Sequence, residues 1–252
     1  MNSREQFGRT AAAYTTSVRH ATGAEDIVAL ADPGPDEIAL DIATGAGHTA
    51  HALAKRCGYV LATDITPEML AEAGRNAGKL GLANFGLGMA LAESLPFADA
   101  SFDVVTCRIA PHHFQDVPAF CREVRRVLKP PGRAVIHDTV SGEDDTVYEW
   151  INDVELRRDP SHVDDMRVST WPRHLAAAGF ELADVIVEMH PDHHEFRDWV
   201  KRSATPAEDV AYLEQRYASA PPVVVEALGL APKGDDSWTW GWPIATFILK
   251  PR

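Results

Sequence analysis

Alternation of short apolar runs with helix-compatible segments between residues 37 and 140 constrains the fold more than any other feature of the chain. The apolar runs cover residues 37–42, 59–64, 84–89, 102–107 and 132–138. Such alternation with short connections is typical of a parallel sheet whose two faces are covered by helices. Two of the helices have chemical boundaries, since 67–80 opens at Pro67 and 118–128 ends before Pro130-Pro131-Gly132. The sequence therefore predicts the α/β fold class.

A strand, a glycine turn and a helix follow one another at the start of this region. The first apolar run stops at Thr44-Gly45-Ala46-Gly47, where glycines let the backbone approach a ligand and the first helical amides face it. Asp64 ends the next strand, where a carboxylate can accept hydrogen bonds from both ribose hydroxyls of an adenosine. Because Gly45-x-Gly47-x-x-Ala50 also satisfies the dinucleotide fingerprint, this pattern leaves NAD and S-adenosylmethionine both open.

The chain is less regular on either side of this region. After residue 140 we predict helices at 146–157, 171–178, 195–202 and 206–218, a strand at 181–188, and a β-rich run at 242–249. Residues 1–30 are compatible with helices that either form a lid over the cofactor crevice or pack against the sheet. We expect one domain, 1–252, with a lid at 1–30, a cofactor-binding core at 35–140 and a substrate-covering segment at 141–252.

Composition limits the classes of partner. The formal net charge of −13 opposes binding to nucleic acid, and no cluster of Lys and Arg offsets it. The three cysteines are an odd number without disulfide-framework spacing, which suits reduced thiols. The N-terminus lacks an apolar core of signal-peptide length and no apolar run is long enough to span a membrane. We therefore expect a cytoplasmic protein without a membrane span, and make no prediction of its oligomeric state.

Four segments carry a resemblance to a known family. Residues 41–50, 91–105, 107–114 and 123–133, in this order and spacing, resemble class I S-adenosylmethionine-dependent methyltransferases. The nearest group includes the ubiquinone and menaquinone biosynthesis C-methyltransferases and many small-molecule methyltransferases. The resemblance implies a Rossmann-like sheet of seven mostly parallel strands with the last strand antiparallel, and helices on both faces. It also implies an N-terminal helical lid and C-terminal helices that cover the substrate.

The resemblance also implies which residues bind S-adenosylmethionine. Asp41 and the turn would face the methionine moiety, Asp64 the ribose, and Arg108 would border the methionine end. Two positions depart from the family pattern: Ala43 replaces a common glycine, and Leu91 replaces an Asp that commonly accepts a hydrogen bond from the adenine amino group. The full expected cofactor set is Tyr14, Asp41, Ala43, Gly45, Gly47, Asp64, Ile65, Met69, Leu91, Ala92, Glu93 and Arg108.

Methyl transfer depends mainly on alignment, with a base where the acceptor must lose a proton. Histidine is the usual base near neutral pH. We expect His113 first and His112 second, because both follow the fourth strand, although either residue could instead cap a helix or pack on the sheet. His137 is a third candidate beside Asp138, but adjacent strand residues point to opposite faces.

Three further features have two interpretations each. His162 either binds the substrate or belongs to a helix-ending turn. The histidines of 190–195 superficially offer metal ligands, but they lack a standard spacing and we expect no metal. Trp238, Trp240 and Trp242 alternate at strand spacing and either line an aromatic pocket or pack in a core.

The predicted function is transfer of a methyl group from S-adenosylmethionine to a small, apolar or aromatic molecule. One alternative is a protein of the same fold that binds the cofactor and catalyses a different reaction, since fold alone does not dictate function. Others are an NAD-dependent oxidoreductase and a binding module without turnover.

Overall fold

A computed structural model describes residues 4, 23–190, 194–234 and 237–252. Its main feature is a seven-stranded sheet of order β3-β2-β1-β4-β5-β10-β6. The strands are β1 (Ile38–Ile42), β2 (Tyr59–Asp64), β3 (Phe85–Met89), β4 (Phe102–Arg108), β5 (Leu128–Thr139), β6 (Phe180–Met189) and β10 (Pro243–Pro251). The first five strands pair in parallel, whereas β10 is antiparallel to both β5 and β6. The predicted mostly parallel sheet with an antiparallel last strand is confirmed.

Helices cover both faces because successive strand residues point in opposite directions. On one face Ala39, Val104 and Val135 pack with α1 and α2, and on the other Leu40 and Val105 pack with α4 and α6. The helices are α1 (Ala24–Ala31), α2 (His48–Ala54), α3 (Pro67–Lys79), α4 (Val117–Val127), α5 (Asp145–Arg158), α6 (Trp171–Ala177), α7 (Phe196–Arg202), α8 (Ala207–Ala218) and α9 (Pro222–Leu228). Within the described ranges, no helix is both long and apolar enough to cross a membrane.

Residues 24–31 form a core helix rather than part of a lid. The buried residues of α1 are Ala24, Ile27, Val28 and Ala31, and they belong to the apolar cluster of one sheet face. For these residues the structure supports packing against the sheet, the second interpretation of segment 1–30, because the apolar side of the helix is covered by the sheet. Residues 1–3 and 5–22 lie outside the described part of the chain.

Strand β5 begins earlier than its apolar run. We predicted 132–138, but the strand spans Leu128–Thr139 and includes Pro130 and Pro131. Phe102 pairs with Leu128 and Val104 with Arg133, so the register shift accommodates the prolines, which cannot donate ladder hydrogen bonds.

A second apolar core lies in the C-terminal half of the chain. Three short strands, β7 (His194–Glu195), β8 (Ala231–Gly234) and β9 (Ser237–Trp240), form a sheet of order β7-β9-β8 that the sequence pattern did not predict. Trp240 and Trp242 are fully buried here, and Trp199 contacts Trp240 edge to face at 5.1 Å between ring centroids. Of the two interpretations of the alternating tryptophans, the structure supports packing in a core.

Candidate active site

The turn after β1 is built from left-handed backbone. The φ values are 53° at Ala43, 53° at Gly45 and 91° at Gly47. This left-handed conformation has a higher free energy for a residue with a Cβ atom than for glycine. A Cβ atom on Gly47 would lie 2.6 Å from the His51 ring, whose Nε2 donates a hydrogen bond to the Ala73 carbonyl at 2.9 Å. Gly47 is therefore needed where α2 packs against α3.

Asp41, on β1, is hydrogen-bonded to the turn. Its carboxylate accepts hydrogen bonds from the Thr44 and Thr106 hydroxyls, each at 2.6 Å, and only 2% of the residue is exposed. Burial raises the pKa of Asp41 to about 6, against the effect of both hydroxyl donors. The Asp41 carboxylate thus connects the turn to β4.

Asp64 holds the other side of the turn. Its carboxylate accepts hydrogen bonds from the Gly45 and Thr66 amides, both at 2.9 Å. Burial raises the pKa of Asp64, while these amides act in the opposite direction. An ionised carboxylate has about four acceptor positions, so two amide contacts leave capacity for ribose hydroxyls. The side chain is therefore oriented by the same turn that the cofactor would approach.

One cavity of about 440 Å³ opens beside this turn, a size typical of small-molecule sites. Asp41, Gly47 and His137 are not part of its wall, and Tyr14 lies outside the described residues. Arg4, the one described residue before residue 23, does line it. The predicted site residues in the wall are Ala43, Gly45, Asp64, Ile65, Met69, Leu91, Ala92, Glu93, Arg108, His112 and His113.

His112 and Asp138 form a buried pair at the far end of the cavity. His112 Nδ1 lies 2.7 Å from Asp138 Oδ1, and the His112 backbone amide donates to Asp138 Oδ2 at 2.7 Å. Burial lowers the pKa of His112, but the charges of Asp138, Asp165 and Glu155 outweigh it and raise the pKa to about 9. His112 is therefore an imidazolium at neutral pH.

His113 has the opposite protonation state. Its ring centroid lies 4.1 Å from that of His112, and burial together with the His112 charge holds the pKa of His113 well below 6.5. His113 Nδ1 lies 3.1 Å from the Ser161 carbonyl oxygen, which can only accept, so Nδ1 carries the proton. The lone pair of the neutral imidazole is then on Nε2.

The other predicted histidines have partners away from these two. His137 Nδ1 lies 2.8 Å from the Thr246 hydroxyl on β10, and burial lowers its pKa to about 3. Asp138, the acid next to His137 in sequence, pairs with His112 instead. His162 Nε2 lies 2.8 Å from Asn152 Oδ1, which supports its interpretation as part of the turn after α5.

The family becomes clear from comparison with known proteins. The methyltransferase domain family matches residues 40–136. The uncharacterised methyltransferase YcgJ of Bacillus subtilis (strain 168) is 36% identical over 211 residues, which are 82% of this chain and 82% of YcgJ. The chain belongs to the class I S-adenosylmethionine-dependent methyltransferases. The cofactor is S-adenosylmethionine, and the NAD-dependent oxidoreductase alternative is wrong.

Solved structures agree with this assignment. The crystal structure of YcgJ has a TM-score of 0.83 and 30% identity, covering 92% of this methyltransferase and 100% of that chain. The BH2331 protein of Bacillus halodurans C-125 has a TM-score of 0.86 and 30% identity, covering 91% and 99%. The cyclase SpnF shares the fold alone, with a TM-score of 0.61 and 21% identity over 92% of this chain and 81% of SpnF.

Two buried polar atoms in the cavity wall fit a bound cofactor. Glu93 Oε1 accepts a hydrogen bond from the Gln115 amide at 2.9 Å, whereas Glu93 Oε2 is buried without a partner in the described part of the chain. The same holds for His48 Nε2, at the first residue of α2. In protein structures, buried polar atoms nearly always have a hydrogen-bond partner, either in the protein or in a bound molecule. The cavity of this methyltransferase is thus suited to a ligand with several polar groups.

The far wall of the cavity comes from the C-terminal half of the methyltransferase. Glu155 and Arg158 of α5, Arg202 of α7, and the flanking His190 and His194 all line it. The three tryptophans at 238, 240 and 242 are not in the wall, so they give no support to an aromatic pocket. Among the described residues, no group of three or more His, Cys, Asp and Glu could hold a metal ion.

Sequence reasoning missed several of these wall residues. Nothing in the local pattern distinguishes Arg158 or Arg202 from other helical arginines. His48 follows the glycine turn directly, so its position at the start of α2 was a usable signal. The pairing of His112 with Asp138 depends on two neighbouring strands and has no local signature.

Proposed function

We propose that this methyltransferase methylates a small-molecule acceptor bound between the cofactor and the C-terminal helices. The supporting observation is that one cavity contains both the Gly45–Asp64 region and the His112–His113 pair. Its volume of about 440 Å³ and the net charge of −13 both favour a small molecule over nucleic acid. The chain then acts as one domain, with residues 141–252 supplying the acceptor wall.

The cofactor-binding assignments follow from the same cavity. We place the ribose at Asp64, the adenine near Ile65, Met69, Ala92 and Glu93, and the methionine end near Gly45 and Arg108. When bound, S-adenosylmethionine supplies an electrophilic methyl group on a sulfonium. Asp41 and Gly47 hold the turn in shape from outside the wall. The N-terminal lid predicted for residues 1–30 stays a prediction, supported by the position of Arg4 in the wall.

His113 is the proposed proton acceptor. Its neutral imidazole has the lone pair on Nε2, and the contact between Nδ1 and Ser161 holds the ring orientation. His112 is charged, so it donates hydrogen bonds and cannot accept a proton. Two adjacent imidazoles with pKa values pushed in opposite directions are typical of a divided acid and base role.

A labelled-methyl assay tests the proposal. Purified protein is incubated with S-adenosylmethionine labelled in the methyl group and with an extract of the source organism, separated into low-mass and macromolecular fractions. We expect label in a low-mass product. His113→Asn should abolish the transfer while cofactor affinity, measured by calorimetry, is unchanged. His174→Asn, on α6 and outside the cavity wall, is the matched control.

Two outcomes would contradict the proposal. Label appearing only in the macromolecular fraction would refute a small-molecule acceptor. Wild-type rates in His113→Asn would remove His113 as the proton acceptor.

A further inference from the structure

We infer that Asp159 and Ser161 are positioning residues for His113, joined to its ring in the order Asp159, Ser161, His113. The Ser161 oxygens hold the proton of the neutral ring on Nδ1, and the Asp159 carboxylate stabilises the imidazolium that forms when Nε2 accepts a proton. This inference rests on the proposed function, because His113 is the proton acceptor there. It gives the turn after α5 a role in the reaction.

The turn after α5 places a carboxylate and a hydroxyl side by side. Asp159 follows the last residue of α5 and has an extended backbone, with φ −132° and ψ 103°, which is the conformation favoured before Pro160. Asp159 Oδ1 accepts hydrogen bonds from the Ser161 amide at 2.9 Å and from the Ser161 hydroxyl at 2.6 Å. An Asp side chain that bonds the backbone two residues on is a common way of fixing a turn. Asp159 and Ser161 are both buried, so the turn holds this contact away from solvent.

Ser161 contacts the His113 ring through two oxygen atoms. His113 Nδ1 lies 3.1 Å from the Ser161 carbonyl oxygen and 3.3 Å from Ser161 Oγ. Because the Ser161 hydroxyl donates its proton to Asp159, its oxygen can accept from the Nδ1–H group. The Val163 amide, in the same turn, donates to the His112 carbonyl at 2.9 Å. The turn is thus held against the segment that carries His113.

The surroundings of His113 oppose the charge that it gains as a proton acceptor. Burial lowers the pKa of His113, and so do the charge of His112, whose ring centroid lies 4.1 Å away, and that of His162. The charge of Asp159 acts in the opposite direction. Burial raises the pKa of Asp159, but Arg158 and His113 lower it below its usual range, so Asp159 is ionised at neutral pH. A fixed negative charge therefore lies one hydroxyl group away from the ring.

Only one proton moves in the step that this arrangement assists. His113 Nε2 binds the proton with its lone pair, and the ring then carries N–H groups at both nitrogens. The acceptor atom keeps the electron pair that held the proton, and this pair is available to the methyl group of S-adenosylmethionine. Asp159 and Ser161 give up and take no proton, but they orient the ring and offset its new charge.

Two variants and a control test the effect on methyl transfer. Asp159→Asn keeps an acceptor oxygen but removes the charge, and Ser161→Ala removes the hydroxyl but keeps the carbonyl. The control is Asp209→Asn, which changes the net charge equally, because Asp209 Oδ1 pairs with Arg157 Nη1 at 3.3 Å and does not line the cavity. The rate of label transfer is measured at saturating S-adenosylmethionine with increasing amounts of the low-mass extract fraction.

We expect Asp159→Asn and Ser161→Ala each to lower the maximal rate by about tenfold or more, since a bond to a charged group is lost in the step. The half-saturating amount of the extract fraction and the affinity for S-adenosylmethionine should not change. Asp209→Asn should transfer label at the wild-type rate. Urea unfolding of each variant corrects the rate for the folded fraction.

The position of the proton on the His113 ring is a readout that needs no methyl acceptor. NMR of the nitrogen-labelled ring near neutral pH should place the proton on Nδ1 in the wild type, because Ser161 offers two acceptors there. Loss of one acceptor in Ser161→Ala should increase the fraction of rings that carry the proton on Nε2. A substitution that only loosened the fold would change the urea midpoint and not this fraction.

Several results would overturn the inference. They are a wild-type ring with its proton on Nε2, an unchanged proton position in Ser161→Ala, and rates in both variants equal to that of Asp209→Asn. A matching loss of S-adenosylmethionine affinity would also do so, because it would show a structural role. If His113→Asn loses transfer while Asp159→Asn and Ser161→Ala keep it, the positioning pair fails and the proposed function stands. If no low-mass product is labelled, the proposed function fails and the ring spectra still decide this inference.

Discussion

Replacing Asp138 by Asn is expected to destabilise the protein by an amount that depends on pH. Asp138 is 1% exposed and contacts both the His112 ring and the His112 backbone amide. An asparagine retains the shape and one acceptor oxygen, but it removes the negative charge that opposes the cost of burying an imidazolium. The variant therefore isolates the electrostatic part of the contact.

The magnitude follows from the pKa of His112. A rise from 6.5 to about 9 corresponds to roughly 3 kcal/mol at about 1.4 kcal/mol per pH unit. Asp165 also favours the charged form and stays in place, so we expect Asp138→Asn to lose about 2 kcal/mol. Because the folded-state pKa is raised, this contribution is complete below about pH 6.5 and disappears as pH rises through about 9.

Urea unfolding of both proteins between about pH 6 and pH 10 measures this effect. The difference in unfolding free energy should be largest near pH 6 and should vanish near pH 10. In parallel, the NMR titration of the His112 ring in the wild type should have its midpoint near 9. A difference in unfolding free energy that stays constant across this range, or a midpoint below 7, would refute an imidazolium at neutral pH.

The remaining predictions concern the cofactor and the base. Asp64→Ala should weaken S-adenosylmethionine binding by about tenfold or more, since charged hydrogen bonds contribute about 1.5 to 3 kcal/mol, and unchanged affinity in calorimetry would remove the ribose assignment. Leu91→Asp should strengthen binding by about threefold to tenfold by adding an acceptor for the adenine amino group, whereas equal or weaker binding would argue against that placement. Turnover should stay level as pH falls from about 8 to about 6.5, because His113 remains neutral there, and a decline with its midpoint near 6.5 would contradict this protonation state.

The extent to which the sequence predicted this molecule depends on the range of the interactions involved. Strand β2 was predicted at its observed bounds, because its apolar run is contiguous and preceded by Gly58. The positions of Gly45 and Asp64 were predictable too, since the strand-turn-helix unit is local. The α/β class and the antiparallel last strand also agree with the sequence expectation, the latter through the family resemblance.

The histidine pair was only partly predictable. Because adjacent strand residues point to opposite faces, the sequence correctly indicated that His137 and Asp138 do not form a pair. It could not identify which histidine Asp138 contacts. That partner lies 26 residues away, after the neighbouring strand β4. Arg202 was missed because its place in the cavity wall depends on the packing of α7 against the C-terminal core, which no short pattern encodes.

The position of β10 in the sheet has a consequence for how the chain folds. β5 and β6 do not pair with each other, because β10 lies between them and bonds to both. The strand that completes this half of the sheet, β10, is therefore synthesised after every other strand of that sheet. Its contacts with β5 span more than a hundred residues of sequence. Contacts of such long range slow folding, because chain entropy must be lost before they form. During synthesis, β6 has no partner in the main sheet until Pro243–Pro251 is available, and until then its unpaired backbone groups can bond to another chain.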